Sequence, residues 1–199
     1  LARSEELLLP NSIAIDQVGD VYVTDSVAGS VWRFARGREA GELWIQDVLL
    51  EGNGALAFGV PIGANGIAFL HGSMYVSNTE VGSVVRIPVL PNGEPGQAET
   101  FVEDPDLFGV DGITFDVRRN LYAVSVAQST LLKFDLRDKT LTVLATDSDG
   151  LDNPASVTFG TGRGTRKQLF FTNFSLLPPV TAGPAILTKR VGVPGVPLP

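Results

Sequence analysis

The stretch VDGITFDVRRNLYAVSVAQSTLLKFDLRDKTLTVLA, Val110–Ala145, decides the fold. It opens on Val110-Asp111-Gly112-Ile113-Thr114-Phe115-Asp116, where apolar and polar residues alternate with period two. A turn rich in Arg and Asn leads to Leu121-Tyr122-Ala123, and a second turn leads to Thr130-Leu131-Leu132-Lys133-Phe134. Leu141–Ala145 closes the unit. Four short runs of β-branched, aromatic and aliphatic residues between turn residues read as four antiparallel strands, A to D.

The same unit recurs along the chain. Pro10-Asn11-Ser12-Ile13, Ala64-Asn65-Gly66-Ile67 and Pro154-Ala155-Ser156-Val157 align with Val110-Asp111-Gly112-Ile113. The aligned apolar positions Ile13, Ile67, Ile113 and Val157 are separated by 54, 46 and 44 residues. That spacing matches the roughly 40–50 residues of a propeller blade. An aromatic recurs in each second strand: Tyr22, Tyr75, Tyr122 and Phe170. Third strands follow at Ser30–Phe34, Ser83–Ile87 and Thr130–Phe134, and more loosely at Ala185–Thr188. Fourth strands are expected in Leu43–Leu50, Ala98–Val102 and Leu141–Ala145.

One unit cannot bury both of its faces. Radial stacking of units does so, and leaves only short edges. The chain therefore reads as an all-β propeller domain over residues 1–199, with blades at 10–50, 64–104, 110–145 and 153–192 and a tail at 193–199. Leu1–Leu9 reads as the outer strand of a preceding blade, which fits a chain cut at its N-terminus. A closed four-bladed ring that uses this segment as its last strand fits the same pattern.

Composition narrows the chemistry. The net charge is −7 over 199 residues. An acidic surface repels phosphate backbones and so disfavours nucleic acid, while it suits a cation. There is no cysteine, which excludes disulfides, thiol nucleophiles and Cys-based zinc sites. No apolar stretch reaches the ~18 residues of a membrane-spanning helix. The single histidine, His71, falls in an A-to-B turn. That turn lies at the opposite end from the A-strand starts, so a Ser-His-Asp triad has no base in place. The glycine-rich run Gly160–Lys167 lacks the ending of a phosphate-binding loop and reads as a solvated hairpin. Trp32 and Trp44 are expected to pack between blades.

Asn11, Asn65 and Asp111 hold equivalent positions, two residues before Ile13, Ile67 and Ile113. Residues entering strand A converge on the central channel from successive blades. Oxygen ligands of this kind suit Ca²⁺, with Mg²⁺ or Mn²⁺ as alternatives. Asn-Gly and Asp-Gly are also ordinary turn dipeptides. Asp25, Asn78, Ser125 and Asn173 end the B strands at the same end of the channel. They read either as pocket-shaping groups or as partners for buried backbone.

The runs PNSIAID, GANGIAF, DGITFDVRRNLYAV and NPASVTFG together with LFFTNF resemble the gluconolactonase, regucalcin and luciferin-regenerating-enzyme-like family. The tail Val191–Pro199 resembles the C-terminus of its secreted bacterial and fungal branch. The resemblance implies a six-bladed parent of about 300 residues, with this chain holding the last four blades. It implies a secreted or periplasmic protein and a small-molecule substrate. It implies a divalent-metal-dependent hydrolase that opens a lactone or similar ester, with Ca²⁺ or another divalent cation such as Mg²⁺, Mn²⁺ or Zn²⁺ held by Asn65 and Asp111. Asp111 would also serve as the catalytic base, and Asn11, Asn78, Ser125 and Asn173 would face substrate or metal-bound water. A glutamate that this family uses as a further ligand would lie before Leu1. Ala155 holds the equivalent position in the fourth unit. Two other readings fit the repeat: a non-catalytic propeller that binds small molecules or proteins, and a metal-independent enzyme resembling strictosidine synthase.

Overall fold

The computed structural model describes residues 6–175 and 180–198. Fifteen strands form four sheets, and each sheet is one blade. Blade 1 holds β1 (Pro10–Ile15), β2 (Val21–Asp25), β3 (Ser30–Phe34) and β4 (Glu42–Gln46). Blade 2 holds β5 (Ala64–Leu70), β6 (Ser73–Asn78), β7 (Ser83–Pro88) and β8 (Glu99–Glu103). Blade 3 holds β9 (Val110–Phe115), β10 (Leu121–Ser125), β11 (Thr130–Asp135) and β12 (Thr140–Ala145). Blade 4 holds β13 (Pro154–Phe159), β14 (Gln168–Asn173) and β15 (Ala185–Arg190).

Every neighbouring pair within a blade is antiparallel. The A strands β1, β5, β9 and β13 pack side by side in that order, which is the propeller arrangement read from the repeat. β13 does not pack on β1 as each neighbouring pair does, so the described residues leave the ring open between blades 4 and 1. Glu6–Leu9 form no strand, and the first half of the segment read as an outer strand, residues 1–5, lies outside the described residues, as does Pro199. The backbone N–H groups of Leu8 and Leu9 donate instead to the Asp25 carboxylate.

The core is three layers, one between each pair of blades. Tyr22, Val31 and Trp44 of blade 1 pack on Ile67, Val76 and Val85 of blade 2. Tyr75 and Val84 pack on Ile113, Phe115 and Leu132, and Tyr122 and Leu131 pack on Val157, Phe159 and Leu169. The recurring aromatic is thus the wedge between blades. Trp44 meets Tyr22 edge to face at 4.9 Å and donates to the Gly93 carbonyl at 2.8 Å. Single 3-10 turns at Val48–Leu50, Pro105–Leu107 and Asp147–Asp149 join D strands to the next A strand, capped by Asp47, Asp104 and Thr146. The tail returns across the far end. Val196 N–H donates to Phe115 and Gly195 N–H to Arg166, tying blade 3 to blade 4.

Candidate site at the channel mouth

Each A strand begins with a bulge. In β5, Asn65 and Gly66 stand opposite the single residue Ser77. In β9, Asp111 and Gly112 stand opposite Val124, and in β1, Asn11 and Ser12 stand opposite Thr24. A bulge interrupts the ladder and re-aims the side chain it carries. Asn11, Asn65 and Asp111 therefore share both a register position and a local distortion. Gly66 and Gly112 let neighbouring A strands approach closely. A Cβ on Gly66 would collide with the Asp111 carbonyl, and one on Gly112 would sit 2.6 Å from the Ser156 Cα.

Hydroxyls on the B strands stitch these bulges to one another. The Thr24 hydroxyl donates to the Asn65 carbonyl at 2.6 Å, and the Ser77 hydroxyl donates to the Asp111 carbonyl at 2.7 Å. The backbones of Asn65 and Asp111 are so fixed from the preceding blade.

The side chains differ in a telling way. Asn11 Nδ2 donates to the Ser26 hydroxyl at 3.1 Å, and Asn65 Nδ2 donates to the Thr79 hydroxyl at 2.9 Å. Ser26 and Thr79 each follow the last residue of the B strand. In blade 3 that position is Val126, which offers no polar atom. Among the described residues nothing donates to the Asp111 carboxylate. Burial alone pushes its pKa from 3.8 up to about 7, because the ionised form loses water and gains no partner. Asn65 is 4% exposed, and its Oδ1 is buried without a hydrogen-bond partner among the described residues. Buried polar atoms in folded proteins are nearly always paired, so an orphan invites a specific reason.

Asn65 Oδ1 and the Asp111 carboxylate fit a hard cation as oxygen donors. Asn11 is exposed at the open end of the series, and Ala155 in blade 4 adds no donor. Among the described residues no three His, Cys, Asp or Glu side chains cluster into a metal site. The candidate donors are one carboxylate and one amide oxygen.

The B-strand ends have other work. Asn78 donates to the Leu49 and Glu51 carbonyls and accepts from Val81 N–H. Ser125 donates to the Phe108 carbonyl and accepts from Gln128 N–H. Asn173 accepts from Asp152 N–H and donates to the Gly150 carbonyl. Asp25 takes the N–H groups of Leu8, Leu9 and Ala28. All four are buried and tie the entering D-to-A loop to the B-to-C turn of the same blade. The structure brings Asn65 and Asp111 together with Thr24 and Ser77. It spends the polar groups of Asn78, Ser125 and Asn173 on loop backbone.

Glu80 was not singled out from the sequence. It is buried beside Thr79 and accepts from the N–H groups of Gly54 and Leu56, which anchors the long blade 1–2 connection. That connection carries the exposed Phe58 and Val60 at the same end of the molecule as Asn65. Asp152 is buried too, and three consecutive N–H groups, Thr181, Ala182 and Gly183, hold its carboxyl below the usual range.

His71 sits with positive φ in the tight β5–β6 turn, exposed, at the opposite end from Asn65. A groove lined by Asp16, Asp20, Arg33, Phe69, Leu90 and Gly93 opens at that far end. Arg33 pairs there with Asp20 at 2.6 Å, and Asp16 accepts the backbone N–H groups of Val18, Gly19 and Asp20.

No protein-family model and no curated protein matches the sequence. Solved structures do match. A protein assigned to the gluconolactonases superposes with a TM-score of 0.64 at 17% identity, covering 98% of this chain and 63% of its own. Virginiamycin B lyase from Staphylococcus aureus superposes with a TM-score of 0.60 at 15% identity, covering 92% of this chain and 56% of its own. A catalytically inactive histidine-to-alanine variant of that lyase, solved with quinupristin, gives 0.61 at 13% identity, covering 96% and 59%. This chain thus spans between 56% and 63% of the length of these structures. At such identities the likeness shows the fold, a propeller shared with both.

Proposed function

We propose that the chain carries part of a divalent-cation-dependent hydrolase site, in which Asn65 and Asp111 hold the cation and water opens a lactone or a similar ester. The observation that carries this reading is the pair of unpartnered oxygen groups at the channel mouth. Asn65 Oδ1 is buried with no hydrogen bond among the described residues, and the neighbouring Asp111 carboxyl is pushed up to about 7 by burial. Leaving such groups unpaired costs stability, and cation binding would offset that cost. Ca²⁺ fits the oxygen donors, and Mg²⁺, Mn²⁺ or Zn²⁺ are the alternatives. A cation there would polarise an ester carbonyl and lower the pKa of water.

The chain's own residues have distinct tasks. Thr24 and Ser77 fix the two backbones by their bonds to the Asn65 and Asp111 carbonyls. Thr79 turns the Asn65 amide so that its nitrogen is occupied and its oxygen is free. Asp111, ionised once the cation is held, would take a proton from an attacking water. The match to a structure assigned to the gluconolactonases agrees with a lactone as substrate. A metal-independent reading would call on an acidic group outside this chain or in blade 4, and in blade 4 Asp152 is committed to the N–H groups of Thr181, Ala182 and Gly183.

The test is hydrolysis of a δ-lactone followed by proton release. Turnover is expected with Ca²⁺ and is expected to vanish on chelation and in Asp111→Asn. Turnover that survives exhaustive chelation would sink the mechanism. Ca²⁺ binding without turnover would support a binding module instead.

A further inference from the structure

Charge is segregated along the propeller axis. The A strands run from the channel mouth to the far end, so the D-to-A connections and B-to-C turns lie at the mouth. The A-to-B and C-to-D turns lie at the far end. Every described Lys and Arg sits in the far half of its strand or in a far-end turn, as His71 does. At the mouth the described charged side chains are carboxylates only. Asp47 and Glu51 lead into blade 2, Asp104 and Asp106 into blade 3, and Asp147 and Asp149 into blade 4. None of these six has an ion-pair partner among the described residues. At the far end, by contrast, Asp20, Glu99 and Asp135 pair with Arg33, Arg86 and Lys133. The overall charge of −7 is thus the sum of an acidic mouth and a basic far end.

The two ends act separately on a molecule in solution. The strands rise ~3.3 Å per residue, which sets the ends roughly 16–23 Å apart. The Debye length is about 8 Å at ~0.15 M salt, so a molecule at the mouth feels the mouth's carboxylates and little of the far-end cations. Like charges around a cleft concentrate counter-ions and raise their on-rates by about 10–10³-fold. Inside this rim lie the buried Asn65 Oδ1, which has no hydrogen-bond partner among the described residues, and the buried Asp111 carboxyl. The same end exposes two aromatic rings, Phe58 at 48% and Phe174 at 51%. Ring faces attract organic cations.

We infer that the substrate of this site is an ester or lactone bearing an organic ammonium group, and that the mouth turns anionic esters away. The inference rests on the hydrolase reading and adds to it the charge of the substrate. The rim carboxylates select by long-range attraction, whereas Asn65 and Asp111 hold the cation at the reacting centre.

The experiment compares three δ-lactones that differ only at the end of one side chain, which carries trimethylammonium, tert-butyl or sulfonate. kcat/KM is measured with saturating Ca²⁺ at ~0.15 M and ~1 M KCl, where the Debye length falls to about 3 Å. Calorimetry measures binding of the three matching lactams, which resist hydrolysis. The trimethylammonium lactone is expected to exceed the neutral one in kcat/KM by about tenfold or more at the lower salt, and the sulfonate to fall below it by a similar factor. Both differences should lie in KM and should shrink at ~1 M salt. Asp106→Asn combined with Asp147→Asn should cut the cationic preference at least about threefold and leave kcat on the neutral lactone unchanged. Arg163→Gln combined with Arg166→Gln, at the far end, should alter neither. Equal kcat/KM for the three lactones, or a preference that ~1 M salt leaves intact, would overturn the inference and leave the hydrolase reading standing. Lactams bound in the expected charge order with no lactone turned over would support the cation-selective mouth and sink hydrolysis alone.

Discussion

Replacing Asp111 by Asn should make the cation-free protein more stable at pH 8 and leave it unchanged at pH 4. The Asp111 carboxyl has an ordinary pKa of 3.8 when the chain is unfolded and one of about 7 in the fold, because burial penalises its charge. Below pH 4 both states hold the proton and the group contributes nothing. Between the two values only the unfolded state ionises, so stability falls by ~1.4 kcal/mol per pH unit. Above pH 7 both states are ionised and the penalty is constant. The gap between 3.8 and about 7 corresponds to at most about 4 kcal/mol, and relaxation around a partly solvated group reduces this to about 2–4 kcal/mol. Asn is nearly isosteric and cannot ionise, so it escapes the penalty. Chemical denaturation in EDTA, at pH 4 to 8, gives the difference directly. The Asp111→Asn advantage should be absent at pH 4 and should grow to its plateau above pH 7. Adding Ca²⁺ at pH 8 should erase it by stabilising the unmodified protein alone. A difference that is flat with pH, or a variant less stable at pH 8, would refute the reasoning.

Three further outcomes follow from the same geometry. Gly66→Ala would drive a Cβ into the Asp111 carbonyl, and should cost about 1–3 kcal/mol, read as a lower midpoint in thermal unfolding. Thr24→Val removes the hydroxyl held 2.6 Å from the Asn65 carbonyl; it should cost about 1–3 kcal/mol, since the acceptor is left buried and unpaired, whereas Val124, the natural residue at that position in blade 3, needs no such bond. Asp152, held below the usual carboxylate range by three backbone N–H groups, contributes stability that is present above its ordinary pKa and lost as pH falls through the folded value. Asp152→Asn should therefore destabilise the protein at neutral pH, with the difference narrowing in acid, as followed by denaturant midpoints.

The blades were legible because the inter-blade core imposes one register on every unit. Ile67, Ile113 and Val157 each enter the layer shared with the preceding blade, and Tyr22, Tyr75 and Tyr122 wedge those same three layers from the other side. A side chain that faces one neighbour cannot slip by one residue without facing the other. The outer strands were less distinct. Leu43–Leu50 was expected as one strand, but β4 ends at Gln46 and Val48–Leu50 forms a 3-10 turn. The capping Asp47 competes for backbone N–H and stops the ladder there. At the channel mouth, the register position of Asn65 and Asp111 was readable, but the fates of Asn78, Ser125 and Asn173 were not. A polar residue ending a B strand can face the channel or the entering loop, and only the loop's path decides. One signal lay in plain view one residue further on. Ser26 and Thr79 are hydroxyl partners for Asn11 and Asn65, and Val126 breaks the series, so of the three only Asp111 has no such hydroxyl partner among the described residues.

The central claim is that Asn65 and Asp111 hold a divalent cation, and calorimetric titration of the EDTA-stripped protein with Ca²⁺ at pH 8 tests it most directly. The unmodified protein should give a saturating heat at pH 8, where the Asp111 carboxyl, with its pKa of about 7, is already ionised and ready to hold the cation. Asp111→Ala should give none, and Asn65→Ala should bind at least about tenfold more weakly, the loss of ~1.4 kcal/mol. Equal heats from the unmodified protein and Asp111→Ala would contradict the account.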